Sequence, residues 1–324
     1  MIDINSREVS PFEAPGWLCN AHGQTMWQVL FRRPPAVAIT VRPLTLRDGD
    51  ELRLAWGPER AGPVVVILHG LGGCARSPYV LGLIQALADR GMQGVVMQFR
   101  GAGDVPNRLP RFFHAGEWLD LEETIKHIHQ LHPARPLAVT GFSMGGIVTL
   151  NWLAAMGEKA GAQAAVVVST PLDLAACAEH LNKGFARVYQ WEIVRNLKGM
   201  VRRKHQSLSM PAAVATLDSV RTLWQFDDRL TAPIHGFNGA TDYYARCSPI
   251  QRLRDIRRPT WIIHAADDPF IPVTTLPRCW PSMVRLQLSP RGGHVGFVQG
   301  TPMRPSYWLD NAIADCVETA LRWV

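Results

Sequence analysis

The chain has 324 residues, 47% of them hydrophobic and 19% charged, a balance that supports a buried core and excludes disordered, collagen-like, coiled-coil and low-complexity classes. This length suits either two ordinary domains or one large α/β unit, with about three quarters of the chain's surface buried on folding. The formal net charge of +7 is spread along the chain, and the one basic cluster, Val201-Arg202-Arg203-Lys204-His205, has no nucleic-acid motif beside it, so it reads as a solvated face.

Six cysteines (Cys19, Cys74, Cys177, Cys247, Cys279, Cys316) stand far apart without a C-x-x-C pair, the pattern of reduced thiols rather than of a zinc cage or a disulfide framework. No apolar run approaches the roughly 18 residues of a membrane span, and Met1-Ile2-Asp3-Ile4-Asn5 lacks the basic and apolar regions of a signal peptide. The expectation is a cytoplasmic protein with no integral membrane segment.

Residues 1–35 contain Pro, Gly and Trp without a sustained hydrophobic period, which predicts an extension packed over the body of the protein. Residues 37–46 and 51–56 read as strands joined through Arg47-Asp48-Gly49-Asp50, and Asp-Gly between two such runs is a hairpin signal. Val64-Val65-Val66-Ile67-Leu68 has no polar alternation, as expected of a strand covered on both faces. A helix over 79–90, a strand over 94–99, a helix over 117–131, a strand over 137–140, a helix over 146–156 and a strand over 164–169 follow. Strands alternating with helices predict the α/β class, with a mostly parallel central sheet flanked by helices and right-handed crossovers. Between residues 171 and 245 the strand signal stops. That stretch is rich in Arg and Trp, is broken at Pro211 and Pro233, and reads as a helical cap inserted at about 172–245. Strands return at 260–264 and 284–288, and a helix over 307–323 closes a domain spanning 36–324.

The chemistry-bearing motif is Gly141-Phe142-Ser143-Met144-Gly145-Gly146, a G-x-S-x-G directly after a predicted strand and before a predicted helix. Glycines are needed there because side chains at 141 and 145 would collide with neighbouring backbone, and the turn sets Ser143 at a helix N-terminus, which favours developing negative charge. A serine hydroxyl is a poor nucleophile near neutral pH, so it needs a base, and the base needs a carboxylate to fix its tautomer. His294, in Arg291-Gly292-Gly293-His294-Val295-Gly296-Phe297 after the last strand, supplies the base. His264-Ala265-Ala266-Asp267-Asp268-Pro269-Phe270-Ile271-Pro272 supplies the acid. The spacing to Pro272 favours Asp268, with Asp267 the alternative, and the order Ser, Asp, His is the one this sheet topology produces. His69-Gly70-Leu71-Gly72-Gly73 follows the first buried strand. The backbone N–H groups of Leu71 and Met144 are the expected oxyanion hole, and His69 is expected to organise the loop.

Other candidates carry less. His127, His129 and His132 are spaced i, i+2, i+5 and do not face one metal from a helix, so they are expected near an exposed helix end. His22 and His114 receive no role. Gly101-Ala102-Gly103 lacks the third glycine and the acid of a dinucleotide site. Trp191 and Trp224 are expected either in core packing or along an acyl pocket. The side chains of the 172–245 segment are expected to set acyl-chain length, with Arg202, Arg203 and Lys204 favouring anionic or interfacial substrates.

These residues together resemble the α/β-hydrolase superfamily, and more narrowly the YheT-like esterases of the AB hydrolase-4 family. The narrower resemblance rests on Asn20-Ala21-His22-Gly23-Gln24-Thr25, Phe99-Arg100-Gly101-Ala102-Gly103, His114-Ala115-Gly116-Glu117 and Asp242-Tyr243-Tyr244-Ala245-Arg246-Cys247-Ser248. Ala102 stands where that family's text has a cysteine or another small residue. The resemblance implies a carboxylic-ester hydrolase that uses Ser143, Asp268 and His294 as a charge-relay set through an acyl-enzyme. It also implies no cofactor and no metal, a small-molecule and lipid-like ester as partner, and no nucleic acid. Acyl transfer or thioester hydrolysis on the same residues, and a non-catalytic ligand-binding protein on the same scaffold, are the rival readings. Oligomeric state is left open.

Overall fold

The computed structural model describes residues 10–103, 105–208 and 210–321. Its strands are β1 (Thr40–Thr45), β2 (Glu51–Trp56), β3 (Val64–Leu68), β4 (Gln93–Gln98), β5 (Leu137–Phe142), β6 (Ala164–Val168), β7 (Thr260–Ala265), β8 (Val284–Ser289), β9 (Val298–Thr301) and β10 (Arg304–Tyr307). The helices are α1 (Ala21–Leu30), α2 (Pro78–Asp89), α3 (Leu119–Leu131), α4 (Met144–Met156), α5 (Leu174–His180), α6 (Ala186–Ser207), α7 (Pro211–Leu217), α8 (Leu223–Phe226), α9 (Ala232–Ile234), α10 (Ala240–Cys247) and α11 (Trp308–Leu321).

Strands β1 to β8 form one sheet in the order β1-β2-β4-β3-β5-β6-β7-β8. The β1–β2 and β2–β4 pairs are antiparallel and the remaining pairs are parallel, as the alternation of strand and helix text predicts. Every residue of β3, β5, β6 and β7 is buried, the physical reason their text lacks polar alternation. Two cores result, one on each face. One joins Leu68, Val139 and Val167 to α3, α4 and the helices between β6 and β7. The other joins Ile67, Val166 and Ile263 to α2 and α11. Parallel strands all end at one edge of the sheet, so the loops after β3, β5, β7 and β8 open on a common side.

Between β6 and β7 the chain is helical from α5 through α10 and on through a 3₁₀ helix at Pro249–Asp255, ten residues beyond the predicted 245 limit. Pro211 and Pro233 both sit in the first turn of a helix, where a missing N–H costs nothing. Among the described residues no helix is long and apolar enough to cross a membrane.

Three sequence expectations need correction. The stretch read as lacking a period contains α1, whose buried residues are Gln24, Thr25 and Gln28; a helix that buries polar side chains leaves no hydrophobic period to detect. The β9–β10 hairpin between β8 and α11 was not expected, because its four-residue strands are mostly exposed and carry little apolar text. The basic cluster is only partly solvated. Arg202 and Arg203 are exposed, but Lys204 is 1% exposed. Lys204 Nζ donates to the carbonyl and side-chain oxygens of Asn107, whose amide donates to Asp50. Burial pulls the Lys204 amine down to about 8, and the contact pins α6 to the loop that follows β4.

Candidate active site

Ser143 occupies the turn between β5 and α4 at φ 50°, ψ −114°, in the positive-φ region that a non-glycine residue enters only under strain. The glycines around it are sterically required. A Cβ on Gly141 would fall on the carbonyl of Gly145, and one on Gly145 would fall on the carbonyls of Leu68 and His69. The Ser143 N–H is anchored to the Val168 carbonyl at 2.8 Å, tying the turn to the neighbouring strand. Met144 is the first residue of α4, so its N–H points out of the helix start beside the serine.

The loop after β3 brings a second donor. His69 is fully buried, with Nδ1 2.8 Å from the Gly70 carbonyl and Nε2 3.4 Å from the Phe99 amide, so it shapes the loop from beneath. Burial lowers its imidazole to about 4, which keeps it neutral. The Gly70 N–H donates to the Tyr79 hydroxyl at 2.9 Å, whereas the N–H groups of Leu71 and Met144 carry no hydrogen bond among the described residues. Both residues line the same cavity as Ser143.

Asp268 and His294 converge on the serine from the far side. His294 Nε2 lies 3.0 Å from Ser143 Oγ, and its Nδ1 lies 2.9 Å from Asp268 Oδ2. The other Asp268 oxygen accepts the backbone N–H groups of Phe270 and Ile271 at 2.8 and 3.2 Å, which orients the carboxylate. Asp267, the alternative acid, turns to a different task. Its Oδ1 accepts the Gly293 N–H at 2.9 Å, and burial raises its carboxyl above the usual range. The Phe270 ring stacks on the His294 imidazole at 4.2 Å with 7° between planes, restricting its rotation.

The loop that carries His294 is backbone-strained. Gly293, Val295 and Phe297 all have φ between 48° and 61°, although Val and Phe disfavour that region. Helix α1 holds it. The Thr25 hydroxyl accepts the His294 N–H at 2.9 Å, Gln24 bonds both the N–H and the carbonyl of Val298, and Gln28 donates to the Gly296 carbonyl at 2.8 Å. From the sheet side, the Ser169 hydroxyl accepts the Val295 N–H at 3.1 Å. Sequence reading missed Gln24, Thr25 and Gln28 as site residues. The available signal was a short polar run, Gly23-Gln24-Thr25, with the Asn20 cap that accepts the Gly23 N–H.

Ser143, His294, Leu71 and Met144 face a cavity of about 290 Å³ whose remaining wall is largely apolar, with Phe112, Phe113, Ile147, Leu174, Ile193, Leu197, Leu223 and Phe226. Thr25, Gln28 and Val29 of α1 also line it. Trp191 and Trp224 do not; both are more than 40% exposed, so neither the core nor the pocket reading holds for them.

His129 is held by the Gly161 carbonyl at 2.6 Å and is only partly exposed. His22 Nδ1 lies 3.0 Å from the Tyr189 hydroxyl. His114, Glu117 and His235 place ligand-type atoms within 4.8 Å of one another. Two of the three are already paired, whereas His235 Nε2 is buried without a hydrogen-bond partner among the described residues. His114 Nδ1 accepts the Gly116 N–H, so its proton sits on Nε2 facing Glu117, and Arg111 pairs with the same Glu117 oxygen.

A family model for the α/β hydrolase fold matches residues 63–301. The chain is 42% identical to "Putative esterase YheT" of Escherichia coli (strain K12) over 310 residues, covering 93% of this chain and 91% of that protein. It is 28% identical to "Phospholipase ABHD3" of Bos taurus over 319 residues, covering 94% of this chain and 77% of that protein. Among solved structures, the esterase Pf2001 of Pyrococcus furiosus superposes with a TM-score of 0.60 at 16% identity, covering 98% of each chain, a likeness of fold. The match over most of the chain, together with the eight-stranded sheet and the serine turn at its centre, makes this protein a member of the α/β-hydrolase fold family, similar to YheT.

Proposed function

We propose that the protein hydrolyses carboxylic esters with an apolar, lipid-like acyl portion, using Ser143 as nucleophile, His294 as base and Asp268 as its orienting carboxylate. The observation that carries the reading is the 2.9 and 3.0 Å chain from Asp268 through His294 to Ser143 Oγ at the wall of an apolar cavity. Ser143 Oγ attacks the ester carbonyl while His294 Nε2 takes its proton, and the carbonyl oxygen becomes an oxyanion beside the Leu71 and Met144 N–H groups. Each such donor contributes about 3 kcal/mol in the transition state. The tetrahedral adduct collapses as the protonated imidazole gives its proton to the leaving alcohol, leaving an acyl-serine. Water, deprotonated by the same imidazole, then attacks the acyl-serine, and the carboxylic acid departs as Ser143 regains its proton.

The relatives' names support the class: an esterase in one case and a phospholipase in another. The helices between β6 and β7 act in this reading as a cap over the sheet edge, with Leu174, Ile193, Leu197 and Leu223 receiving the acyl chain. The test is turnover of p-nitrophenyl esters of increasing chain length and labelling by a fluorophosphonate. Ser143→Ala is expected to abolish both, and retention of either overturns the reading. Product analysis with ethanol competing against water distinguishes hydrolysis from acyl transfer.

A further inference from the structure

Helix α6 is apolar on two faces. Ile193 and Leu197 line the cavity beside Ser143, whereas Phe185, Val188 and Trp191, at spacings of three along the start of the helix, are each more than half exposed. At helical pitch such residues form one stripe. The end of α1 repeats the pattern, because Leu30 and Phe31 are 61% and 60% exposed, and Val29 both lines the cavity and is 74% exposed, which marks the cavity's mouth. The two helices touch at their starts, with the His22 ring 4.5 Å from the Phe185 ring and bonded to the Tyr189 hydroxyl, and both helices line the cavity. Six of the fourteen exposed large apolar side chains among the described residues thus belong to these two cavity-lining helices or flank their ends. Singly exposed apolar side chains need no explanation, but a cluster rimmed by charge marks an interaction site.

That rim is cationic. Arg33, Lys183, Arg187 and Arg195 are exposed around the stripe against Glu179 and Glu192, which pair with Lys183 and Arg195. Arg33 and Arg187 have no acidic partner among the described residues. Further along α6, Lys198, Arg202 and Arg203 add positive charge. We propose that this face docks on an anionic lipid surface, with Leu30, Phe31, Phe185, Val188 and Trp191 entering the headgroup boundary and the arginines meeting lipid phosphates, so that the cavity opens onto the bilayer. An amphipathic surface with aromatic residues on one side and cations around it lies in the interface plane in this way. A second copy of the chain fits less well, since a two-fold contact would bring the same cationic patch together from both copies. Delivery of substrate from the bilayer rests on the ester reading; the docking itself does not, so binding is measured apart from turnover.

The test is flotation of the full-length Ser143→Ala protein with phosphatidylcholine vesicles and with vesicles in which roughly one third of the lipid is phosphatidylglycerol. The protein is expected to float with the anionic vesicles, less so as salt is raised, and weakly with phosphatidylcholine alone. Replacing Leu30, Val188 and Trp191 together by Ser should lower the partition coefficient about a hundredfold, and Arg33→Glu with Arg187→Glu at least tenfold, on the anionic vesicles only. In the Ser143 protein the same substitutions should leave the thermal midpoint and the turnover of a short, monomeric ester unchanged. Equal flotation by parent and triple-serine variant, or no flotation of either, overturns the proposal. So does a dimer in sizing experiments that the serine variant converts to monomer while vesicle binding stays the same. A parent that binds vesicles but turns over no ester would sink the ester reading and leave the docking intact.

Discussion

The turn that holds Ser143 and the loop that holds His294 stand on the same edge of the same sheet, and both contain non-glycine residues at positive φ, yet they are built in opposite ways. The serine turn is made by its own neighbours: Gly141 and Gly145 leave room that the carbonyls of Gly145, Leu68 and His69 fill. The histidine loop is held chiefly from a distance, by side chains of α1 some 270 residues earlier, whose bonds to His294, Gly296 and Val298 add to the local bond from the Phe297 N–H to the Gly292 carbonyl. A steric requirement is recorded where it acts, as a missing side chain. A hydrogen-bonding requirement is recorded wherever the partner happens to lie in the chain. Helix α1 falls outside the 63–301 stretch matched by the fold model, so a site built over that stretch alone would keep the Ser169 and Asp267 bonds to the histidine loop and lose those from α1.

The sharpest probe of this contrast compares the two adjacent acids. Asp268→Asn should lower kcat about ten-thousandfold, because it removes the carboxylate that fixes the His294 tautomer. Asp267→Asn, whose carboxylate only accepts the Gly293 N–H, should stay within about tenfold of the parent. Similar losses in steady-state kinetics for the two variants would erase the assigned division of labour.

At the serine turn, Gly145→Ala should cost about 4 kcal/mol of stability or prevent folding, since the added methyl meets backbone that has no room to move. Denaturant midpoints measure this, and a loss below about 1 kcal/mol would show that the turn is less constrained than its neighbours imply.

On the histidine loop, Thr25→Val should lower kcat about tenfold with KM nearly unchanged and slow fluorophosphonate labelling, because one buried N–H beside the imidazole loses its acceptor. Thr25→Ser keeps the hydroxyl and should restore the rate. If valine and serine behave alike, α1 contributes packing rather than positioning.

The smallest effect concerns pH. The Asp267 carboxyl is raised by burial, so folding favours its protonated form, and its contribution to stability is fully present below the ordinary carboxylate pKa of about 3.9 and declines as pH rises through the raised value. Asp267→Asn lacks this titration. Its stability relative to the parent should therefore increase from pH 3 toward neutrality, measured as the difference between the two pH–stability curves.

Most of the parallel sheet was readable from text alone. Strands buried on both faces are written in continuous apolar residues, as β3 and β6 are, and the alternation with helices leaves few topologies. Ser143, Asp268 and His294 could be singled out because each sits in a short motif after a strand, and the fold brings the three into one hydrogen-bonded chain. Four things were not: α1 as a helix, the β9–β10 hairpin, the burial of Lys204, and the exposure of Trp191 and Trp224. Each depends on what lies opposite in space. Gln24, Thr25 and Gln28 look like solvent-facing residues until the His294 loop supplies their partners, and Lys204 looks like one more surface cation until Asn107 meets it.

The amino-acid sequence by itself determined the fold class, the order of the strands along the chain and the candidate residues of the site, because these follow from local periodicity and local steric necessity. Tertiary structure alone decided which helix steadies the histidine and which apolar side chains reach water, because burial and hydrogen bonding belong to pairs of residues that the chain keeps far apart until it folds.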